Sequence, residues 1–238
     1  MPATNPIDQG KEAAGIQAAS LVKPGMVLGL GTGSTVAFFL DALGARYKAG
    51  EIPGVVGVPT SVRTEVHATE LGIPLRTLEE VKSLDLTVDG ADEVDPHLDL
   101  IKGLGGALLR EKMVAQATRY MVIIVDVGKV VERLGSRSPV PLEVVPFGWP
   151  IHLPFLRAMG GEPRLRETPE GEPFQTDNGN YILDCHFPEG MPDPKTLNRA
   201  FQGRAGIVES GLFLGLANEI LVGGEARVER VVRVNDPR

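Results

Sequence analysis

The sequence predicts an α/β protein in which a parallel-sheet domain is joined to a smaller α+β domain. Three observations carry this prediction. Short apolar runs alternate with helical patterns as far as about residue 134. Between residues 135 and 206 the rhythm changes to weaker strands in a proline- and glycine-rich background. Four carboxylates (Asp89, Asp92, Glu93, Asp95) follow one of the apolar runs, and Lys102 follows them in a glycine-rich turn. In a parallel α/β sheet, the carboxyl ends of strands are where functional side chains collect.

Asn5-Pro6 has the form of a helix cap with proline in the first turn, so residues 6–22 read as helix, stopped by Lys23-Pro24-Gly25. Met26–Leu30 is a short apolar run and reads as a buried strand. Val36–Leu43 continues as helix, Val55–Val58 is a second strand, and Thr60 or Ser61 caps a helix reaching about Leu71. Leu84–Val88 is a strand that delivers Asp89. A helix over 107–118 precedes the strand Tyr120–Val125. Such alternation implies parallel strands with right-handed crossovers. Weaker strands are expected near Leu142–Val145, Arg164–Arg166 and Tyr181–Cys185, with helices near 150–159 and 194–203. Asn178-Gly179 signals a turn. Gly206–Val208, Leu212–Phe213 and Ala226–Val234 are β-rich and are expected to rejoin the first sheet. The domains are therefore placed at 1–134 with 207–238, and at 135–206.

With 42% hydrophobic and 23% charged residues, the composition is that of an ordinary globular protein. A net charge of −7 argues against a general nucleic-acid or acidic-membrane binder, but leaves room for a local anion site. Cys185 is the only cysteine, so an internal disulfide and a cysteine-built metal site are excluded. The four histidines show no metal-ligand spacing, and the sparse aromatics offer no stacking platform for nucleic acid. No apolar run reaches the roughly 18 residues of a membrane span, and the N-terminus lacks an apolar signal core, so the expected location is cytoplasmic.

Strand, then Gly29-Leu30-Gly31-Thr32-Gly33-Ser34-Thr35, then helix, is the layout of an anion site. Glycines let backbone N–H groups approach a ligand, and a helix N-terminus favours negative charge. A tight turn with Ser34 as a plain N-cap fits the same residues. A dinucleotide site fits less well: the third glycine position is Ser34, and the second strand delivers no acid for a ribose. Asp89 and Asp92 sit just past a buried strand, whereas Asp95-Pro96 reads as a structural turn. Lys102-Gly103-Leu104-Gly105-Gly106 is a second anion loop, unless the lysine only pairs with the nearby acids. At about 100° per residue, Ala107, Leu108, Val114 and Ala115 fall within roughly 60° of Glu111, which places it on an apolar helix face with Arg110 and Lys112 at the sides. Burial would raise its pKa toward the range of a general base, while a nearby lysine or helix N-terminus would lower it. An ordinary first-turn glutamate fits too.

With these segments in hand, the chain resembles ribose-5-phosphate isomerase of type A. G-T-G-S-T at 31–35, D-G-A-D-E at 89–93, K-G-L-G-G-A-L-L-R-E-K at 102–112 and T-D-N-G-N at 176–180 match in order. The resemblance implies a Rossmann-like domain with an inserted ferredoxin-like α+β domain. It also implies cofactor-free, metal-free interconversion of ribose 5-phosphate and ribulose 5-phosphate through an enediol, in a homodimer. It makes Glu111 the group that moves a proton between C1 and C2. Thr32, Gly33, Ser34 and Thr35 would hold the sugar phosphate. Asp89, Gly90, Ala91 and Asp92 would bind sugar hydroxyls, with Asp89 assisting ring opening. Lys102, Gly103, Leu104 and Gly105 would stabilise the enediolate, and Lys129 and Lys11 would bind substrate. Leu104 departs from the glycine frequent at this position, and a positive φ there would strain it. Two other classes remain compatible: a sugar-phosphate sensor without turnover, and an acyl or CoA transferase with a glutamate nucleophile.

Overall fold

A computed structural model describes residues 5–224 and 227–233. The helices are α1 (Pro6–Ser20), α2 (Ser34–Lys48), α3 (Val62–Glu70), α4 (Leu108–Gln116), α5 (His152–Ala158) and α6 (Pro194–Gln202). The strands are β1 (Val27–Leu30), β2 (Val56–Pro59), β3 (Leu86–Asp89), β4 (Glu93–Val94), β5 (Leu100–Ile101), β6 (Met121–Asp126), β7 (Val140–Val144), β8 (Glu162–Leu165), β9 (Tyr181–His186), β10 (Ile207–Ser210), β11 (Leu212–Phe213), β12 (Glu219–Gly223) and β13 (Val228–Val232).

The contacts divide the chain into two compact units. One contains the described parts of 1–91, 110–130 and 215–238; the other contains 92–109 and 131–214. The first is built on a six-stranded sheet of order β13-β12-β6-β3-β1-β2, parallel throughout except for β13. β1, β3 and β6 are buried at nearly every position, which is why the sequence shows them as short apolar runs rather than alternating ones. The core of this unit joins α1 and α2 to the sheet through Ala14, Ala18, Phe39, Leu40, Leu28 and Ile124. α1 starts as expected: Asn5 Oδ1 accepts the Asp8 N–H at 2.8 Å, and proline stands in the first turn.

In the second unit, β7-α5-β8-β9-α6-β10 forms an antiparallel sheet of order β10-β7-β9-β8, which is the ferredoxin-like arrangement. Its core is Leu142, Val144, Leu156, Leu183, Leu197 and Phe201. A three-stranded sheet β11-β5-β4 completes the unit.

One expectation needs correction. β10 and β11 do not rejoin the first sheet; they pair with β7 and β5. Gly211 lies between them, where a Cβ would come within 2.2 Å of the Lys102 carbonyl oxygen, so only glycine lets the chain pass there from one sheet to the other. The C-terminal strand β13 does join the first sheet; Ala226 and residue 234 lie outside the described residues. β12, missing from the sequence expectations, is the inner strand it pairs with.

Candidate active site

Within the first unit, the carboxyl ends of the parallel strands lie side by side. Leu30 is in register with Pro59 and Val88, Asp89 with Ile123, and Gly223 with Asp126. Expected residues emerge at this edge in several groups. The first is the glycine loop. Gly33 has φ +139, a conformation that favours glycine, and it rather than Ser34 is the N-cap of α2, with no side-chain cap bond. The first N–H groups of a helix have no intrahelical partner, so those of Ser34, Thr35 and Val36 face outward from a 15-residue helix. Ser34 is exposed and Thr35 is 8% exposed.

Thr32 is used differently. Its N–H donates to Asp89 Oδ1 at 3.0 Å. Its hydroxyl lies in a buried cluster 2.8 Å from the Thr60 and Ser61 hydroxyls and 3.0 Å from that of Thr64. Thr60 and Thr64 in turn donate to the carbonyls of Leu30 and Gly31. The hydroxyl cluster therefore holds the loop in shape. Nothing in the local sequence signals it, because its members come from the loop after β1, the loop after β2 and α3.

Asp89 is fully buried as the last residue of β3, and Oδ1 also accepts the Gly90 N–H at 2.7 Å. Gly31 is required beside it, since a Cβ there would lie 2.3 Å from Asp89 Oδ1. Gly90 follows directly, and Ala91 is half-buried. Lys129 is half-buried in the single turn after β6, capped by Asp126 through the Gly128 N–H. Lys11 sits one residue after Gly10, which abuts the Gly223 carbonyl at the same edge, and its Nζ is 3.7 Å from Asp8 Oδ1.

Glu111 is 4% exposed on α4. One turn on, Val114 covers Gly29 of β1, where a Cβ would lie 2.6 Å from it. The last turn of α4 is tied to the start of β3 by the Ala117 carbonyl and Leu84 N–H at 3.0 Å. At a rise of about 1.5 Å per residue, Glu111 stands about 9 Å up the helix from there, toward the carboxyl edge. Lys112, expected at the side, is as buried as Glu111.

Within the second unit, Asp92 Oδ2 accepts the Leu104 N–H at 2.9 Å, bringing the acidic segment onto the lysine loop. Lys102 is 2% exposed, with Nζ 5.5 Å from the centre of the Phe213 ring. Gly103 (φ +106) and Gly106 (φ +82) need glycine, whereas Leu104 does not: among the described residues only Leu98 combines a side chain with a positive φ. Leu104 thus stands in the loop without backbone strain, and its N–H and carbonyl both make hydrogen bonds. Gly105 is exposed. Asp95 is the turn residue expected, with Oδ1 accepting the N–H groups of His97 and Asp99. Burial raises its pKa.

Two further matched segments have structural work. Glu93 is fully buried and accepts the N–H groups of Gly135, Arg137 and Ser138. Glu143 Oε1 accepts from Thr176, Asn178 and Asn180, which accounts for the spacing of T-D-N-G-N. Sequence reasoning missed Glu143 and also Arg166, whose guanidinium bonds the lysine loop. Among the described residues no group of three or more His, Cys, Asp or Glu side chains is placed to hold a metal ion. No described helix is long and apolar enough to cross a membrane.

A glycine-capped helix N-terminus, a buried carboxylate at a strand end and a buried glutamate on a crossover helix together define the class: an α/β protein of the parallel-sheet type with its candidate site at the carboxyl edge. Comparison with known proteins narrows this. Residues 56–227 match the family ribose 5-phosphate isomerase A (phosphoriboisomerase A). The ribose-5-phosphate isomerase A of Roseiflexus castenholzii is 54% identical over 90% of this chain and 91% of that protein. That of Chloroflexus aurantiacus is 51% identical over 96% of this chain and 95% of that one. A solved D-ribose-5-phosphate isomerase in complex with phospho-erythronic acid superposes with a TM-score of 0.93 at 38% identity, covering 97% of this chain and 100% of that one. The chain belongs to the ribose 5-phosphate isomerase A family.

Proposed function

We propose that this chain interconverts ribose 5-phosphate and ribulose 5-phosphate by proton transfer through an enediol, with Glu111 as the base. Family membership supports the reaction. The observation that carries the residue assignment is the burial of Glu111, at 4% exposure, on the helix that follows the lysine loop. An aldose–ketose isomerase needs one base serving two adjacent carbons, donors where the oxyanion develops, and an anchor whose binding energy orients the substrate. The N-terminal amides of α2 with Ser34 and Thr35 would anchor the phosphate, and Thr32 would shape that loop. Asp89 would assist ring opening, and Asp92 would bind a sugar hydroxyl. Lys102 and the amides of Gly103, Leu104 and Gly105 would stabilise the enediolate; Lys129 and Lys11 would contact substrate. In the same reading the enzyme is a cytoplasmic homodimer that needs no cofactor.

The experiment is to incubate the protein with ribose 5-phosphate in D₂O with EDTA and follow the sugar by NMR. Ketose carrying solvent deuterium at the exchanging carbon is the expected product. Absence of conversion both with and without EDTA would remove the isomerase reading, whereas conversion seen only without EDTA would remove its cofactor independence.

A further inference from the structure

Arg166 lies 62 residues from the lysine loop in sequence, yet its Nη1 donates to two consecutive carbonyls of that loop, Gly103 at 2.9 Å and Leu104 at 3.0 Å. The rest of the guanidinium is fixed. Nε donates to Asp184 Oδ2 at 2.8 Å and Nη2 donates to Asp184 Oδ1, a bidentate pair with both side chains largely buried. The Phe174 ring centre is 5.8 Å from the guanidinium carbon, and the same ring packs where a Cβ on Gly106 would stand. Arg166 and Asp184 are themselves set by neighbouring strands: Asp184 lies on β9, and the Arg166 N–H donates to the Ile182 carbonyl at 2.8 Å. The arginine is thus a rigid fork held by one sheet and applied to one loop.

Two physical consequences follow from the planarity of the peptide bond. In a trans peptide the N–H points opposite to the C=O. Holding the Gly103 carbonyl aims the Leu104 N–H away from Arg166, and that N–H is the donor to Asp92 Oδ2. Holding the Leu104 carbonyl aims the Gly105 N–H to the side away from Arg166. A full positive charge on both carbonyl oxygens also polarises the two peptides and strengthens their N–H groups as donors.

We propose that Arg166, locked by Asp184, is a positioning residue of the reaction: it sets the direction and donor strength of the Leu104 and Gly105 amides in the loop that stabilises the enediolate. This rests on the isomerase reading above. It adds to that reading a residue pair outside the four motifs that carry the resemblance. Pre-set donors aimed where charge develops lower the barrier more than they aid substrate binding, so the loss should appear in kcat.

The test is Arg166→Ala, assayed beside the wild-type enzyme with ribose 5-phosphate, with and without added guanidinium chloride at concentrations well below denaturing. Misplacing a group by about 1 Å can cost about 10²-fold. We therefore expect kcat to fall about 10- to 100-fold, KM to stay close to wild type, and guanidinium to restore part of kcat. If Arg166→Ala does not fold, Arg166→Lys carries the same kcat prediction, because an ammonium keeps the charge but cannot hold Asp184 and two carbonyls in one plane. Unchanged kcat in a folded variant would overturn the proposal. So would a fall in kcat matched by lower thermal stability and not relieved by guanidinium, since that is a structural loss alone. Failure of the wild-type enzyme to convert ribose 5-phosphate would instead remove the reading on which the proposal rests.

Discussion

Glu111 is one of several buried carboxylates, and what surrounds each of them separates their work. Glu93 and Glu143 each gather three N–H or O–H donors, which fixes the segments that supply those donors. Asp89 Oδ1 receives two backbone N–H groups and so orders the loop it faces. Glu111 is buried on α4, and the next turn of that helix carries Val114 and Ala115, both buried. Glu111→Gln keeps the volume and removes the base. Its kcat should fall by about 10²- to 10⁴-fold with KM and thermal stability little changed, measured by steady-state conversion of ribose 5-phosphate. A variant with wild-type kcat would place the base elsewhere. From sequence, the apolar face around Glu111 was visible through helical spacing; the burial of its neighbour Lys112 was not, because the same spacing puts Lys112 at the side of that face.

Among the elements, β1, β3 and β6 were legible because both faces are covered and the strands read as continuous apolar runs. β12 was not. It begins with Glu219, which is buried only because Arg230 of β13 and Tyr120 bond its carboxylate from 11 and 99 residues away. β4 and β5 are two residues each, too short to show any period. The anion-site layout of the glycine loop could be read locally, whereas the Arg166 fork joins residues that no spacing rule connects. Gly15 shows a contest at this scale. In α1 an alanine would gain about 1 kcal/mol of helix propensity. Its Cβ, however, would stand 2.7 Å from the Phe39 nitrogen and 2.9 Å from the Phe38 carbonyl carbon, both backbone atoms of α2. Overpacking against atoms that cannot rotate away costs about 1–3 kcal/mol, more than the propensity gain. Gly15→Ala should therefore lower Tm by a few degrees in a calorimetric scan; a rise would mean that α1 and α2 separate more freely than their packing implies.

For the whole molecule, each unit has its own core and its own acid-sensitive contact. In the second unit, His152 is 1% exposed and its Nδ1 accepts from Arg204 Nε at 3.0 Å. Burial, followed by the Arg204 charge, lowers its pKa below the ordinary 6.5. The folded state therefore binds a proton less readily than the unfolded chain. Stability must fall as pH drops through 6.5 and level off once the folded imidazole is itself protonated. In the first unit, hydrogen bonding to Arg230 lowers the pKa of Glu219, outweighing burial, and Tyr120 adds a further bond at 2.8 Å. Here too the unfolded chain holds the proton more tightly, but the window opens only below 4.5. Acidification should thus weaken the protein in two separate ranges, the first assigned to His152 and the second to Glu219. His152→Gln, which can still accept from Arg204, should flatten the fall of Tm between neutrality and about pH 5 while leaving the lower range intact. Glu219→Gln should do the reverse. Equal slopes for wild type and His152→Gln in the upper range would show that protonation of His152 does not drive the loss of stability there, and that the acid response in that range comes from other groups.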